Sequence, residues 1–106
     1  MSTEQDIQNK IRLELSKVGI VFRANVGKVK MKDGRWFDTG LPKGFSDLFG
    51  FRKSDGRMFF IEVKNEKGRA SKEQLHFLKV MKENGALTGI ARSPEDALKI
   101  LEGQDD

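Results

Sequence analysis

The chain contains no cysteine, which excludes disulfides and thiolate metal sites and fits a reducing, intracellular setting. Histidine is nearly as scarce. His76 stands alone, too little for an imidazole-built metal centre, and is read as incidental to function. No apolar run approaches the roughly 18 residues of a membrane span. The opening Met1-Ser2-Thr3-Glu4-Gln5-Asp6 is polar and acidic, unlike a signal peptide. Neither internal repeats nor a linker interrupts the chain. The expectation is a soluble, cytoplasmic protein. Its 106 residues suffice for one domain and not two, so residues 1–103 are expected to form a single domain and 104–106 a frayed tail.

Charge is plentiful. Hydrophobic residues make up 37% of the chain and charged residues 34%, a balance that disorder would also produce. Disorder is set aside because the apolar residues fall in periodic runs. The formal net charge is +4, and its placement is uneven. Between Phe22 and Lys53, eight basic residues less three acidic ones leave +5. Arg23, Lys28, Lys30, Lys32, Arg35, Lys43, Arg52 and Lys53 are the basic set, with Asp33, Asp38 and Asp47 opposing. A localised basic region fits a polyanionic partner; a solvated, lysine-rich loop is the other reading that charge alone leaves open. Lys28, Lys30, Lys32, Arg35, Lys43 and Arg69 are the candidate contacts for such a partner's phosphates.

Hydrophobic periodicity predicts a first helix from about Thr3 to Val18, with Ile7, Ile11, Leu15 and Val18 on its buried stripe and Ser2 or Thr3 as cap. Gly19 ends it. A strand begins at Ile20-Val21-Phe22, and Asp33-Gly34 signals a tight two-residue hairpin between Lys30-Met31-Lys32 and Arg35-Trp36-Phe37. Two apolar runs, Asp47 to Phe51 and Met58 to Lys64, form a second hairpin around Ser54-Asp55-Gly56-Arg57. Ser71 caps a helix reaching about Glu83, with Gln74 placed to complete a capping box. A strand over Ala86 to Ala91 and a helix opened by Ser93-Pro94-Glu95 follow. The pattern predicts an α/β sandwich around a mixed sheet, in the order α-β-β-β-β-β-α-β-α.

One charge is out of place. Glu62 interrupts Met58-Phe59-Phe60-Ile61-Glu62-Val63, the most hydrophobic run in the chain, and a carboxylate in a central strand is costly unless it is paired or binds a metal. With Asp55 and Gly56 as the two loop residues, Phe49 would face Glu62 and Asp47 would face Lys64. Facing residues and residues two apart share a face, so Asp47, Glu62 and Lys64 are expected to converge. A surface ion-pair cluster is the bland alternative. The functional reading is a seat for a hard divalent cation with oxygen ligands from Asp47 and Glu62, and with a backbone carbonyl near Val63 as a third. Lys64 would position water or offset phosphate charge. Glu4 extends the buried stripe of the first helix toward the same place, and Gln74 does so on the second; each also has a purely local role available, Glu4 at its helix's positive end and Gln74 in the capping box.

Gly44-Phe45-Ser46-Asp47-Leu48, Phe60-Ile61-Glu62-Val63-Lys64 and Ser71-Lys72-Glu73-Gln74-Leu75 together resemble the VRR-NUC group, the virus-type replication-repair nucleases of the PD-(D/E)XK superfamily. The resemblance runs from Glu4 to about Gly89. It departs from the superfamily's proline-aspartate pair, which is Ser46-Asp47 here. It implies a restriction-endonuclease-like fold and Mg²⁺- or Mn²⁺-dependent phosphodiester hydrolysis. The implied catalytic set is Asp47, Glu62 and Lys64, with Glu4 and Gln74 as accessory residues. It further implies a structure-specific nuclease acting as a homodimer on branched DNA, similar to Holliday-junction resolvases, and a phage or prophage setting. The dimer has a candidate surface in the Lys28 to Thr39 hairpin, whose Val29, Met31, Trp36 and Phe37 would pack either on a partner or on the monomer's own core. Trp36 has a third option, stacking on an unpaired base. A non-cleaving DNA-binding module and a nuclease subunit of a larger restriction, repair or packaging assembly are the competing readings.

Overall fold

A computed structural model of the chain describes residues 2–26 and 28–103. The tail expected at 104–106 lies outside the described residues, as do the side chains of Lys28, Val29 and Phe37. The elements are α1 (Glu4–Leu15), β1 (Gly19–Arg23), β2 (Lys28–Lys30), β3 (Trp36–Asp38), β4 (Leu48–Arg52), β5 (Met58–Val63), α2 (Lys72–Glu83), β6 (Leu87–Ala91) and α3 (Pro94–Glu102). Their order is the one the sequence predicts. The strands do not all join one sheet, however. β1, β4, β5 and β6 form a mixed sheet in the order β1-β4-β5-β6, while β2 and β3 pair only with each other. β4 is antiparallel to β1 and β5; β6 runs parallel to β5, which requires the crossover that α2 supplies.

Alternation along β5 assigns the two faces of the sheet. Phe59, Ile61 and Val63 join Ile7, Ile11 and Leu15 of α1 and Ala97, Ile100 and Leu101 of α3 in the main core. Phe60 points the other way, against Phe77 of α2, with ring centroids 5.4 Å apart. Phe45 and Phe49 extend that second cluster. The protein is therefore layered, with α1 and α3 on one face and α2 on the other.

The helix starts follow from local chemistry. Thr3 caps α1 through a box closed by Asp6, Ser71 caps α2 with Gln74, and Ser93 precedes Pro94 at the start of α3. α1 is shorter than the apolar spacing predicts. It ends at Leu15 with Ser16 as its C-cap, so Val18 is an exposed turn residue and not part of the buried stripe. Both hairpins also differ from expectation in loop length. At the first, Met31 N–H donates to Arg35 O and Gly34 N–H to Met31 O, closing a three-residue loop with Gly34 at positive φ. At the second, Arg52 N–H donates to Arg57 O and Gly56 N–H to Arg52 O, so Lys53 to Gly56 form the loop.

The longer second loop changes the register. Phe49 faces Phe60 and Leu48 faces Ile61, in place of the predicted pairing of Phe49 with Glu62 and Asp47 with Lys64. The shift is an even number of residues, so every side chain keeps its predicted face. One further step along the ladder puts Asp47 opposite Glu62.

Candidate metal and catalytic site

Asp47 is carried into place by a loop that leans on α2. Gly44 has φ of +94°, and a Cβ there would lie 2.5 Å from the backbone oxygen of Glu73; only glycine permits this approach. The contact lets Phe45 insert beside Phe77. Ser46, fully buried, donates its hydroxyl hydrogen to Leu48 O at 2.9 Å. It occupies a tight, satisfied position just before the acid, which explains why a residue other than proline serves there. Ala24 N–H donates to Asp47 O at 2.9 Å, fixing the backbone from the β1 side. The Asp47 side chain then accepts from Val63 N–H through Oδ2 at 2.8 Å, tying it to the end of β5.

Glu62 is 1% exposed, and neither of its carboxylate oxygens meets a hydrogen-bond donor. Burial pushes its pKa up to about 9; hydrogen bonding with the Asp47 carboxyl and the charge of Asp47 add to the rise, Lys64 opposes it, and Glu4 contributes slightly. The absence of a donor and the hydrogen bond to Asp47 are two protonation states of one arrangement. Ionised, the two carboxylates offer only acceptors to each other. With one proton between them, Glu62 can donate to Asp47. The structure thus brings together Asp47, Glu62 and Lys64, with Glu4, on a different element and 58 residues away in sequence from Glu62, near enough only to add slightly to its charge environment.

Lys64 follows β5 directly, and its N–H donates to Ala91 O at 3.1 Å. The loop beyond it was not singled out by sequence and proves to be part of the site. A Cβ on Gly68 would lie 2.8 Å from Glu4 Oε2 and 3.2 Å from Lys64 Cδ, so a side chain there would intrude on both. Asn65 Oδ1 accepts from Gly68 N–H at 2.8 Å and from Lys67 N–H at 3.1 Å. Arg92, just past β6, donates from Nη1 to Asn65 O and to Gly68 O. Loop 64–68 is therefore clamped against Lys64 and Glu4. The signal in the sequence is only an Asn-x-x-Gly spacing after the Glu-x-Lys tripeptide, too common to select without the fold.

Other predicted residues stand apart. Gln74 Oε1 accepts from Ser71 N–H at 2.8 Å, completing the capping box; the local role is the one its bonds display. Lys30, Lys32, Arg35, Lys43 and Arg69 are exposed. Lys43 pairs with Glu73 at 3.5 Å and Arg35 with Asp33 at 2.7 Å. The Lys28 side chain lies outside the described residues. Among the described residues, no three His, Cys, Asp or Glu side chains gather as a cation site. The site thus offers two facing carboxylates, which suits a small hard cation that takes one or two carboxylates and completes its shell with water and phosphate oxygens. Val63 contributes its N–H to Asp47 and buries its side chain in the core; its carbonyl remains a candidate third ligand.

The family model described as the VRR-NUC domain matches residues 3–95. A solved structure described as a VRR_NUC domain superimposes with a TM-score of 0.66 at 21% identity, covering 95% of this chain and 97% of that one. At that identity the likeness speaks to the fold. No curated protein matches the chain.

The buried carboxyl makes the metal-free protein sensitive to pH in a defined direction. A folded-state pKa raised above the ordinary value means that the folded form holds a proton which the unfolded form has lost. Stability is then fully present below about pH 4.5 and declines as pH rises toward about 9. Glu62→Gln carries no charge to desolvate. In EDTA at pH 8 it is expected to melt higher than the parent by on the order of 5 °C or more and to show a flatter stability profile between pH 5 and 9. Thermal melts of both proteins across that range check this. A variant that melts lower at pH 8, with the parent's pH slope retained, would show that Glu62 is satisfied without a cation.

Proposed function

The chain belongs to the VRR-NUC family, and on the premise of a nuclease domain we propose a metal-dependent DNA endonuclease in which Asp47, Glu62 and Lys64 carry the chemistry. The single observation that carries this reading is the pair of donorless oxygens on Glu62 beside Asp47. A folded protein rarely keeps a buried acid without a partner, and here the missing partner is a cation. Mg²⁺ or Mn²⁺ bound by the two carboxylates would polarise a phosphoryl oxygen and lower the pKa of a bound water.

The chain's own groups have separable tasks. Val63 N–H occupies one oxygen of Asp47 and so fixes the direction of the other. Glu62, protonated without a cation, would lose that proton to bulk solvent on holding one, so that its negative charge matched the ion. Lys64 places an ammonium beside the carboxylates, where it offsets charge gathering on the phosphate or orients the attacking water. Glu4 and Lys64 both border the space that Gly68 leaves open, and Glu4 is assigned an accessory role there by family resemblance. Gln74 is an accessory residue by family resemblance, through its place at the start of α2.

Branched DNA is the proposed substrate and a homodimer the proposed form, with residues 1–103 as one catalytic domain and the cytoplasm of a bacterial or phage-infected cell as the setting. The exposed Lys30, Lys32, Arg35, Lys43 and Arg69 support a phosphate-binding surface. A dimer is supported by the sheet face opposite α1 and α3. Ile20 faces Phe51, Phe51 faces Met58, and Phe22 faces Phe49; Ile20, Phe22, Phe51 and Met58 are all exposed. No formal charge lies among them. A contiguous apolar patch of this kind marks an association surface, and a two-fold axis would set it against itself in a second copy.

Three outcomes are expected. With Mg²⁺ or Mn²⁺, the protein cuts labelled four-way junction, flap or splayed DNA in preference to linear duplex. Asp47→Ala lowers the rate by about a thousandfold or more while retaining binding. Equal cutting by parent and variant would place the active site elsewhere; equal cutting of all substrates would remove structure specificity and leave the nuclease. By light scattering the parent elutes with twice the chain mass and Phe22→Asp with the mass of one chain. An unchanged dimer in the variant would move the interface off this sheet face.

A further inference from the structure

The β2–β3 hairpin contributes nothing to the main sheet, yet it carries the protein's lone tryptophan. Trp36 is 64% exposed and Met31, near the turn, is 47% exposed. These side chains do not close the monomer's core. An indole left in water at the end of a projecting ribbon is costly by its area and calls for an occupant.

The surrounding charge selects which one. Lys30 is the cross-strand partner of Trp36, so its ammonium projects on the same face as the indole. At the turn, Asp33 takes up Arg35 through two short contacts, Arg35 Nε to Oδ2 and Nη2 to Oδ2, both 2.7 Å. Asp33 also accepts from Arg35 N–H at 3.0 Å, and this stiffens the tip. Among the described residues, Lys30 and Lys32 have no such counter-charge. The hairpin therefore presents one flat aromatic face flanked by free ammonium groups on a rigid turn. Lysine is depleted from the centres of protein–protein interfaces. A second copy docked through the same surface would set Lys30 and Lys32 against their own equivalents. An unpaired nucleotide matches both features: its base has a π-face for the indole, and its phosphates answer the lysines.

We propose that the β2–β3 hairpin is a DNA-contacting arm on which Trp36 stacks an unpaired base, with Lys30 and Lys32 holding the adjoining phosphates. The proposal rests on the reading of the chain as a protein that handles DNA, and it deepens that reading. It assigns the recognition of branched over fully paired DNA to a feature apart from the carboxylates. Duplex DNA keeps its bases stacked and offers the indole nothing; a branch point or single-stranded arm offers a free base.

The experiment uses the full chain in EDTA, so that nothing is cut. The sequence has one tryptophan and no tyrosine, and intrinsic fluorescence therefore reports on Trp36 alone. Splayed DNA with single-stranded arms is expected to quench that emission strongly, and blunt duplex of equal length to leave it nearly unchanged. Trp36→Ala is expected to weaken binding of splayed DNA by about 5- to 160-fold, the range for loss of one base–aromatic stack, with duplex affinity within about twofold of the parent. Trp36→Phe should recover most of the loss. Because Trp36 is exposed, both variants should melt with the parent, which separates this effect from misfolding. Equal losses on splayed and duplex DNA, absence of quenching, or conversion of a dimer to a monomer by Trp36→Ala would each overturn the proposal, the last by assigning the hairpin to a protein partner. Failure of the nuclease reading is distinguishable: quenching and discrimination would persist in a protein that does not cut under any metal condition.

Discussion

A carboxylate with nothing to donate to it sits in the middle of the sheet, and the rest of the structure is arranged around that constraint. β5 lies between β4 and β6, where an apolar side chain on either face would be the stable choice. Glu62 instead places two buried acceptors there, with no donor to meet them. Desolvation alone would keep it neutral, and a second acid opposite makes ionisation harder still. The arrangement is unfavourable for a protein on its own and favourable for one that binds a cation. On the proposed reading, the stability given up at this one position is what a bound cation would restore.

The surrounding scaffold shows how such a site is kept rigid. Asp47 is restrained at three points: Ser46 is locked to Leu48 O, Ala24 holds the Asp47 carbonyl, and Val63 N–H holds its side chain. Lys64 is restrained from the far side by a loop that Arg92 grips through two carbonyls. Gly68 leaves the space that Glu4 and Lys64 need. These contacts come from β1, β4, β5, the β6–α3 junction and α1. The candidate site thus draws on side chains distant in sequence that the sheet brings to one end.

Much of this could be read from the chain before any coordinates. The element order followed from hydrophobic period and caps, because Thr3, Ser71 and Ser93 accept from residues only three positions away and Pro94 fixes its own φ at the first turn. The convergence of Asp47, Glu62 and Lys64 followed from alternation, and it survived a mistaken register because the error was even in length. What escaped was set by loops and tertiary contact. Four residues, not two, make the β4–β5 turn, since Arg52 pairs with Arg57 and also with Asp55. Val18 has helical spacing but lies past a C-cap that Ser16 forms early. The separate β2–β3 ribbon reads in sequence like any other hairpin. Arg92 and Gly68 touch the site through backbone carbonyls and empty space, and neither leaves a mark in a linear pattern.

On the proposed reading, the proton shared by Glu62 and Asp47 occupies the place that a divalent ion would take. Calorimetric titration of Mn²⁺ at pH 7, repeated in buffers of different ionisation enthalpy, counts the protons released on binding. Saturable binding is expected, with release of about one proton per ion in the parent protein and none from a Glu62→Gln variant. Binding with no proton released, or binding of equal strength in both proteins, would contradict it.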